Sequence, residues 1–171
     1  RRQRQMCIRD SLKAEGDWCH VIGGPKTCVA AQSSDTVPVL LAMDASITLL
    51  GPNGERVLKL RELYQFNGMD HLAITPGELL THVRIPMPAG EFRGTYKKLR
   101  RRDSIDFPQL GVAVLLRLDG DAVAALDIVV GAVNPQPKPI RKLEPFIGQP
   151  LTDEAIDAIG ALVEKQTRPQ T

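Results

Sequence analysis

The run VAVLLRLDGDAVAALDIVVGAV, residues 112–133, decides the fold class. It holds two long apolar segments, 112–118 and 122–133, on either side of Asp119-Gly120-Asp121, three residues with turn chemistry, and therefore predicts a β-hairpin. Just upstream, residues 95–99 read as another strand, so a three-stranded antiparallel sheet is expected. Downstream, NPQPKPI (134–140) carries three prolines, which withhold backbone donors and fix φ; it is expected to be a crossing loop, not a central strand or helix. Thr152 then supplies a helix N-cap, and Asp153 and Glu154 suit the positive end of a helix dipole. Ile156, Ile159 and Val163 mark one apolar face, which predicts a helix over 153–165.

Before this region, Pro86, Pro88 and Gly90 form a linker, and a domain boundary is placed there, dividing 12–88 from 89–171. Residues 78–86 alternate, with Leu79, Thr81, Val83 and Ile85 on one face, as in a half-buried strand. Residues 60–65 suit a helical turn. The β-type runs 46–50 and 56–60 flank GPNGE, whose Asn53-Gly54 is a hairpin signal. TVPVLLAM (36–43) follows Ser33, Ser34 and Asp35 and predicts a short buried helix with capping residues ahead of it. Residues 12–35, rich in Gly, Ser, Asp and Cys, are expected to be mostly loop. The class is α+β.

With 171 residues and 43% apolar composition the chain can bury a core and is not a disordered tail. Its net charge of +2 is unevenly placed: Arg1, Arg2, Arg4 and Arg9 against Asp10 give the first eleven residues +3 and leave 12–171 at −1. Those residues, RRQRQMCIRDS, have neither apolar period nor cap, and they resemble the in-frame translation of a transposase-based sequencing adapter. The expectation is that natural sequence begins at about Leu12, that Cys7 belongs to the adapter, and that the chain is cut at both ends. No apolar run approaches the ~18–20 residues a bilayer span needs. With nothing to suggest secretion or a membrane, the expected location is cytoplasmic.

Cys19, His20 and Cys28 are soft donors for zinc or iron, yet two thiolates do not complete a four-ligand site. They are half of a larger site or ordinary buried thiols. His71 and His82 read as surface or loop histidines. The run KKLRRR, 97–102, attracts phosphate in principle, but strand alternation puts Lys98 and Arg100 on one face and Lys97 and Arg101 on the other. With 4% aromatic residues, stacking of single-stranded nucleic acid is disfavoured, and a basic nucleic-acid-binding or structural module is the alternative from another class.

Taken together, Cys19 and Cys28, SSDTVPVLLAMDASI (33–47), PGELLTHVRIP (76–86) and YKKLRRRDSIDFPQLGVAV (96–114) make the chain resemble the FAD-binding medium subunit of the molybdenum hydroxylases, the xanthine, carbon monoxide and aldehyde dehydrogenase group. Within that group it is similar to the β subunit of 4-hydroxybenzoyl-CoA reductases, which has an extra cysteine loop beside the flavin. The resemblance implies the C-terminal part of an FAD-binding α/β domain, 12–88, followed by a truncated C-terminal domain like that of the CO dehydrogenase flavoprotein, 89–171. It implies an oxidoreductase subunit that relays electrons between FAD and iron–sulfur clusters, beside a large molybdopterin subunit and a small subunit with [2Fe–2S] centres. A generic aldehyde, xanthine or CO dehydrogenase FAD subunit is the alternative within the family.

By the same resemblance Asp35 contacts FAD, Leu79 and Leu80 pack on the isoalloxazine, and Lys98 stabilises the electron-rich edge of the reduced flavin, with Lys97 the alternative if the register slips by one. By the same resemblance Arg102 and Asp106 fit the family's arginine and aspartate positions, with a structural role expected. Cys19 and Cys28 match the third and fourth thiolate ligands of a [4Fe–4S] cluster, and Ser11 falls where the second would be, so a cysteine is expected there in the gene. The family's glycine-rich FAD loops, whose N–H groups surround the pyrophosphate, are missing from this stretch. The stretch alone is therefore expected to be inactive.

Overall fold

The structure is a computed structural model that describes residues 18, 19, 23, 24, 28–103 and 105–167. The adapter-like residues 1–11, with Cys7 and Ser11, and also His20 lie outside the described residues.

Among the described residues, two antiparallel sheets and two helices make up the architecture. Helix α1 (Val37–Ala42) leads into β1 (Ser46–Gly51), which pairs on one side with β2 (Gly54–Lys59) and on the other with β3 (Leu79–Arg84), giving the order β2-β1-β3. The hairpin turn is centred one residue earlier than the Asn-Gly dipeptide suggests. Gly51 pairs with Gly54, so Pro52 and Asn53 form the tip, and Gly54 takes φ +104° as the first strand residue, a conformation glycine adopts without steric cost. A single 3-10 turn (Leu60–Leu63) and the loop 64–78 carry the chain back to β3.

The second sheet contains β4 (Phe92–Leu99), β5 (Leu110–Asp119), β6 (Ala122–Gly131) and β7 (Lys138–Pro139) in sequential order. The expected three strands are present with a fourth, two-residue strand from the proline-rich segment. Edge position makes this possible, because a proline facing away from the ladder withholds no needed donor, and the Ile140 N–H beyond it still donates to the Ile128 carbonyl at 2.8 Å. Helix α2 (Asp153–Gln166) starts where the capping residue places it: Thr152 Oγ1 accepts from the Ala155 N–H at 3.3 Å.

β6 reads as an almost unbroken apolar run because both of its faces are covered. On one face Val129 joins Ala113, Leu41, Ala42, Ala45, Ile47, Leu49, Leu60 and Leu63 in a core shared with α1 and the first sheet. On the other, Ile128 and Val130 join Ile140 and Leu143, and α2 packs on them through Ile159, Leu162 and Val163. The linker at 86–90 thus separates two sheets in sequence that one core joins in space.

β3 differs from expectation. Every residue of this strand is exposed, including Leu79 at 70% and Leu80 at 46%, so the predicted half-buried face does not exist among the described residues. Alternation reports which side chains suit a covered face, not whether anything covers it. β3 lies at the sheet edge, while the core closes between β1 and α1.

Candidate functional site

The site residues are carried by the segment that enters α1 and by β4. Helix α1 is too short to hold itself by propensity; Pro38 in its first turn and packing of Leu41 and Ala42 hold it against the second sheet. Thr36 at its N-cap makes no side-chain cap hydrogen bond, and two residues earlier Ser34 Oγ accepts from the Val37 N–H at 3.2 Å. That leaves Asp35 free of capping work, and its carboxylate reaches β4: Oδ2 accepts from Lys98 Nζ at 2.7 Å and Oδ1 from the Tyr96 hydroxyl at 3.3 Å. Tyr96 and Lys98, two apart on a strand, share one face. Burial, then the Asp35 charge and hydrogen bond, push the Tyr96 phenol up to about 12, so it remains a neutral donor at working pH.

Two of the expected flavin contacts, Asp35 and Lys98, are therefore joined in an ion pair, with side chains 50% and 20% exposed. Lys97 points to the opposite face of β4. The other two, Leu79 and Leu80, lie on a different sheet, on the exposed edge strand β3. The donor set fits FAD in chemical kind. Ser33 Oγ, two residues before Asp35, is buried without a hydrogen-bond partner among the described residues, as a group awaiting a polar ligand would be. Hydroxyl, carboxylate and ammonium groups suit a polyol and phosphate, and exposed leucines suit an aromatic ring.

The charge run is divided rather than a cationic stripe. Lys98 is paired with Asp35, and Arg102 with Asp106 at 3.2 Å, where Asp106 also accepts from the Phe107 N–H at 2.9 Å. Arg102 and Asp106 thus close the loop after β4. Of the histidines, His71 stacks on Tyr64 and His82 Nδ1 lies 3.0 Å from Thr81 Oγ1.

Cys19 and Cys28 are both buried, at 1% exposure. The Cys19 N–H donates to the Gly24 carbonyl at 2.7 Å and its carbonyl accepts from the Gly23 N–H at 3.0 Å. The Cys28 carbonyl accepts from Gly68 N–H at 2.8 Å, and a Cβ at Gly68 would fall 2.6 Å from Ala30 N and 2.9 Å from Cys28 Sγ. Only glycine fits there. Among the described residues no group of three or more His, Cys, Asp or Glu side chains is placed to hold a metal ion.

Two concavities among the described residues lie elsewhere. One is lined by Leu41, Arg61, Asp127 and Lys142, another by Met43, Asp44, Pro86 and Arg117; neither includes Asp35 or Lys98. Sequence reasoning missed Tyr96 and the glycines Gly68, Gly111 and Gly131. Glycine inside an apolar strand run was the available signal, since it marks close approach of another group.

Residues 21–88 match the FAD binding domain in molybdopterin dehydrogenase, and residues 94–171 match the CO dehydrogenase flavoprotein C-terminal domain. The chain is 33% identical to the carbon monoxide dehydrogenase medium chain of Afipia carboxidovorans, over 80% of this chain and 46% of that one. It is 30% identical to the glyceraldehyde dehydrogenase medium chain of Sulfolobus acidocaldarius, over 82% and 49%. Among solved structures it is similar to reconstituted CO dehydrogenase from Oligotropha carboxidovorans, with a TM-score of 0.71 and 32% identity over 79% of this chain and 46% of that one. The fold is shared with quinoline 2-oxidoreductase from Pseudomonas putida 86, at TM-score 0.72 and 18% identity over 83% and 48%. The chain spans about half the length of these relatives. No helix among the described residues is long and apolar enough to cross a membrane. The two matched regions take in most of the chain, and the chain belongs to the family of FAD-binding medium subunits of molybdenum hydroxylases.

Proposed function

We propose that this chain is part of the electron-transfer flavoprotein subunit of a molybdenum-containing oxidoreductase of the 4-hydroxybenzoyl-CoA reductase type, acting in the cytoplasm. The FAD-binding region is 12–88 and the C-terminal domain 89–171. Its partners in this reading are a molybdopterin-binding large subunit, where substrate chemistry occurs, and a small subunit with [2Fe–2S] centres. Bound FAD would supply the interconversion of two-electron and one-electron steps that a relay between the flavin and iron–sulfur centres needs.

The observation that carries this reading is the 2.7 Å contact between Asp35 and Lys98, which joins the two family-matched regions at residues of the matching motifs. One of the three N–H groups of Lys98 is committed to Asp35; the others are available to a ligand that carries negative charge. Leu79 and Leu80 supply apolar surface for the ring. None of these residues transfers a proton or forms a covalent bond; they bind and orient. Cys19 and Cys28 serve as two of the four thiolates of a [4Fe–4S] cluster, and burial favours them, because a cluster is protected in a dry shell.

The generic aldehyde, xanthine or CO dehydrogenase type is the second reading, favoured by the absence of a third ligand near the cysteines among the described residues. Metal analysis of the full-length assembled enzyme separates the two. The reductase type requires about four irons per flavin beyond those of the small subunit, lost in Cys19→Ser and Cys28→Ser, whereas a flavin-only count leaves the generic type. For the flavin site, Lys98→Met is expected to weaken FAD binding at least about tenfold, as loss of a charge-assisted hydrogen bond does. Unchanged FAD affinity removes Lys98 from the site.

A further inference from the structure

We infer that Tyr96 is a positioning residue of the flavin site, fixing the Asp35 carboxylate so that Lys98 keeps one orientation toward the ligand; this rests on the reading of Asp35 and Lys98 as FAD contacts. The geometry begins with two glycines. Lys98 on β4 pairs with Gly111 on β5, and Gly111 pairs with Gly131 on β6, so a lane of bare backbone crosses the sheet. A Cβ on Gly111 would fall 2.5 Å from the Tyr96 hydroxyl oxygen and 3.2 Å from its ring. A Cβ on Gly131 would fall 2.8 Å from Pro38 Cγ. The Tyr96 ring therefore lies over Gly111, and the first turn of α1 over Gly131.

Both seats act on the same neighbour. Pro38 brings the segment before α1 down onto the sheet, and the Tyr96 hydroxyl meets Asp35 Oδ1 there while Lys98 meets Oδ2. A carboxylate held at one oxygen can still rotate, and Asp35 is half exposed; held at both, it cannot. Fixing the carboxylate fixes the ammonium, and with it the direction of the lysine N–H groups not used on Asp35. Tyr96 needs no contact with the flavin to do this. Were the ring only core filling, its hydroxyl could be removed without consequence for the ligand.

The test uses the assembled full-length flavoenzyme and reads the FAD dissociation constant, the flavin midpoint potential and the melting temperature. Tyr96→Phe removes the hydroxyl alone and is expected to raise the dissociation constant about fivefold, the worth of one hydrogen bond. It should also move the potential in the same direction as Lys98→Met with little change in melting temperature. Gly111→Ala, which keeps every polar group but displaces the ring, should reproduce Tyr96→Phe and decides the matter if that variant does not assemble. Added to Asp35→Ala, Tyr96→Phe should have no further effect. Wild-type flavin properties in Tyr96→Phe and Gly111→Ala, with Lys98→Met shifted, overturn the positioning role and leave the FAD reading intact; so does full additivity with Asp35→Ala, which means a direct action. Unshifted flavin in both Lys98→Met and Asp35→Ala overturns the FAD reading and this inference with it.

Discussion

Glu78 shows how one residue ties the first sheet together. Its carboxylate takes both arms of Arg56, Nε at 2.6 Å and Nη2 at 2.9 Å, and accepts from the Thr75 N–H at 2.7 Å, so it pins the loop 64–78 to β2. Gly51 leaves the room it needs, since a Cβ there would fall 2.7 Å from Glu78 Cγ. The Arg56 hydrogen bond, then the Thr75 N–H, hold its carboxyl down at about 2 against an ordinary 4.5. A depressed carboxyl stabilises the fold above its unfolded value and loses that contribution as pH falls toward the folded one. Acid unfolding should therefore steepen between about pH 4.5 and 2, and Glu78→Gln should flatten that limb; an unchanged acid profile in the variant counts against the pairing. Asp127 has the opposite sign. Burial, partly offset by Arg61, and the nearby Asp44 raise its carboxyl, so its charged form opposes folding as pH rises. Asp127→Asn should raise the melting temperature at pH 7 and leave it near wild type at pH 3, where the carboxyl is protonated.

At the scale of elements, α2 was legible because its start is written in local chemistry: Thr152 caps it, two acids follow, and its apolar spacing faces Ile128 and Val130. Thr152→Ala should cost about 1 kcal/mol by denaturant unfolding. The hairpins were legible for the same reason, turn residues between apolar runs. What failed was environment. The Leu79–Val83 alternation looks the same whether a layer covers it or not, and β3 is bare on both sides. The proline-rich segment contributes β7, since only its edge position spares the prolines. Asp35 and Lys98 are site candidates on motif resemblance alone, and their meeting is not legible in the sequence, because 63 residues separate them and only the packing of α1 on the second sheet brings them together. Asp35 does not cap α1: its carboxylate is taken by Tyr96 and Lys98, and it is Ser34 that accepts from the Val37 N–H. Gly131 carries that packing, so Gly131→Val should overpack against Pro38, cost about 1–3 kcal/mol and weaken FAD binding at a distance.

For the molecule as a whole, the decisive fact is that the core ignores the linker. Ile47 and Leu49 from the first sheet, Leu41 and Ala42 from α1, and Ala113 and Val129 from the second sheet lie in one cluster, and the Gln32 N–H donates to the Asn134 carbonyl at 2.9 Å across the same junction. Two family-matched regions that share a core this way cannot unfold independently, because exposing either half strips apolar cover from the other. Denaturant unfolding should then give coincident transitions by Trp18 fluorescence, from the sole tryptophan, and by far-ultraviolet circular dichroism, which reports both sheets. Leu49→Ala, at a fully buried site before the linker, should cost about 2–5 kcal/mol. Val129→Ala, beyond the linker, should cost about 2 kcal/mol. Each should shift both probes equally. Separate transitions, or a Leu49→Ala effect confined to one probe, mean that the halves hold themselves; a single transition means that a ligand bound beside the Asp35–Lys98 pair stabilises the entire fold, by mass action on one equilibrium.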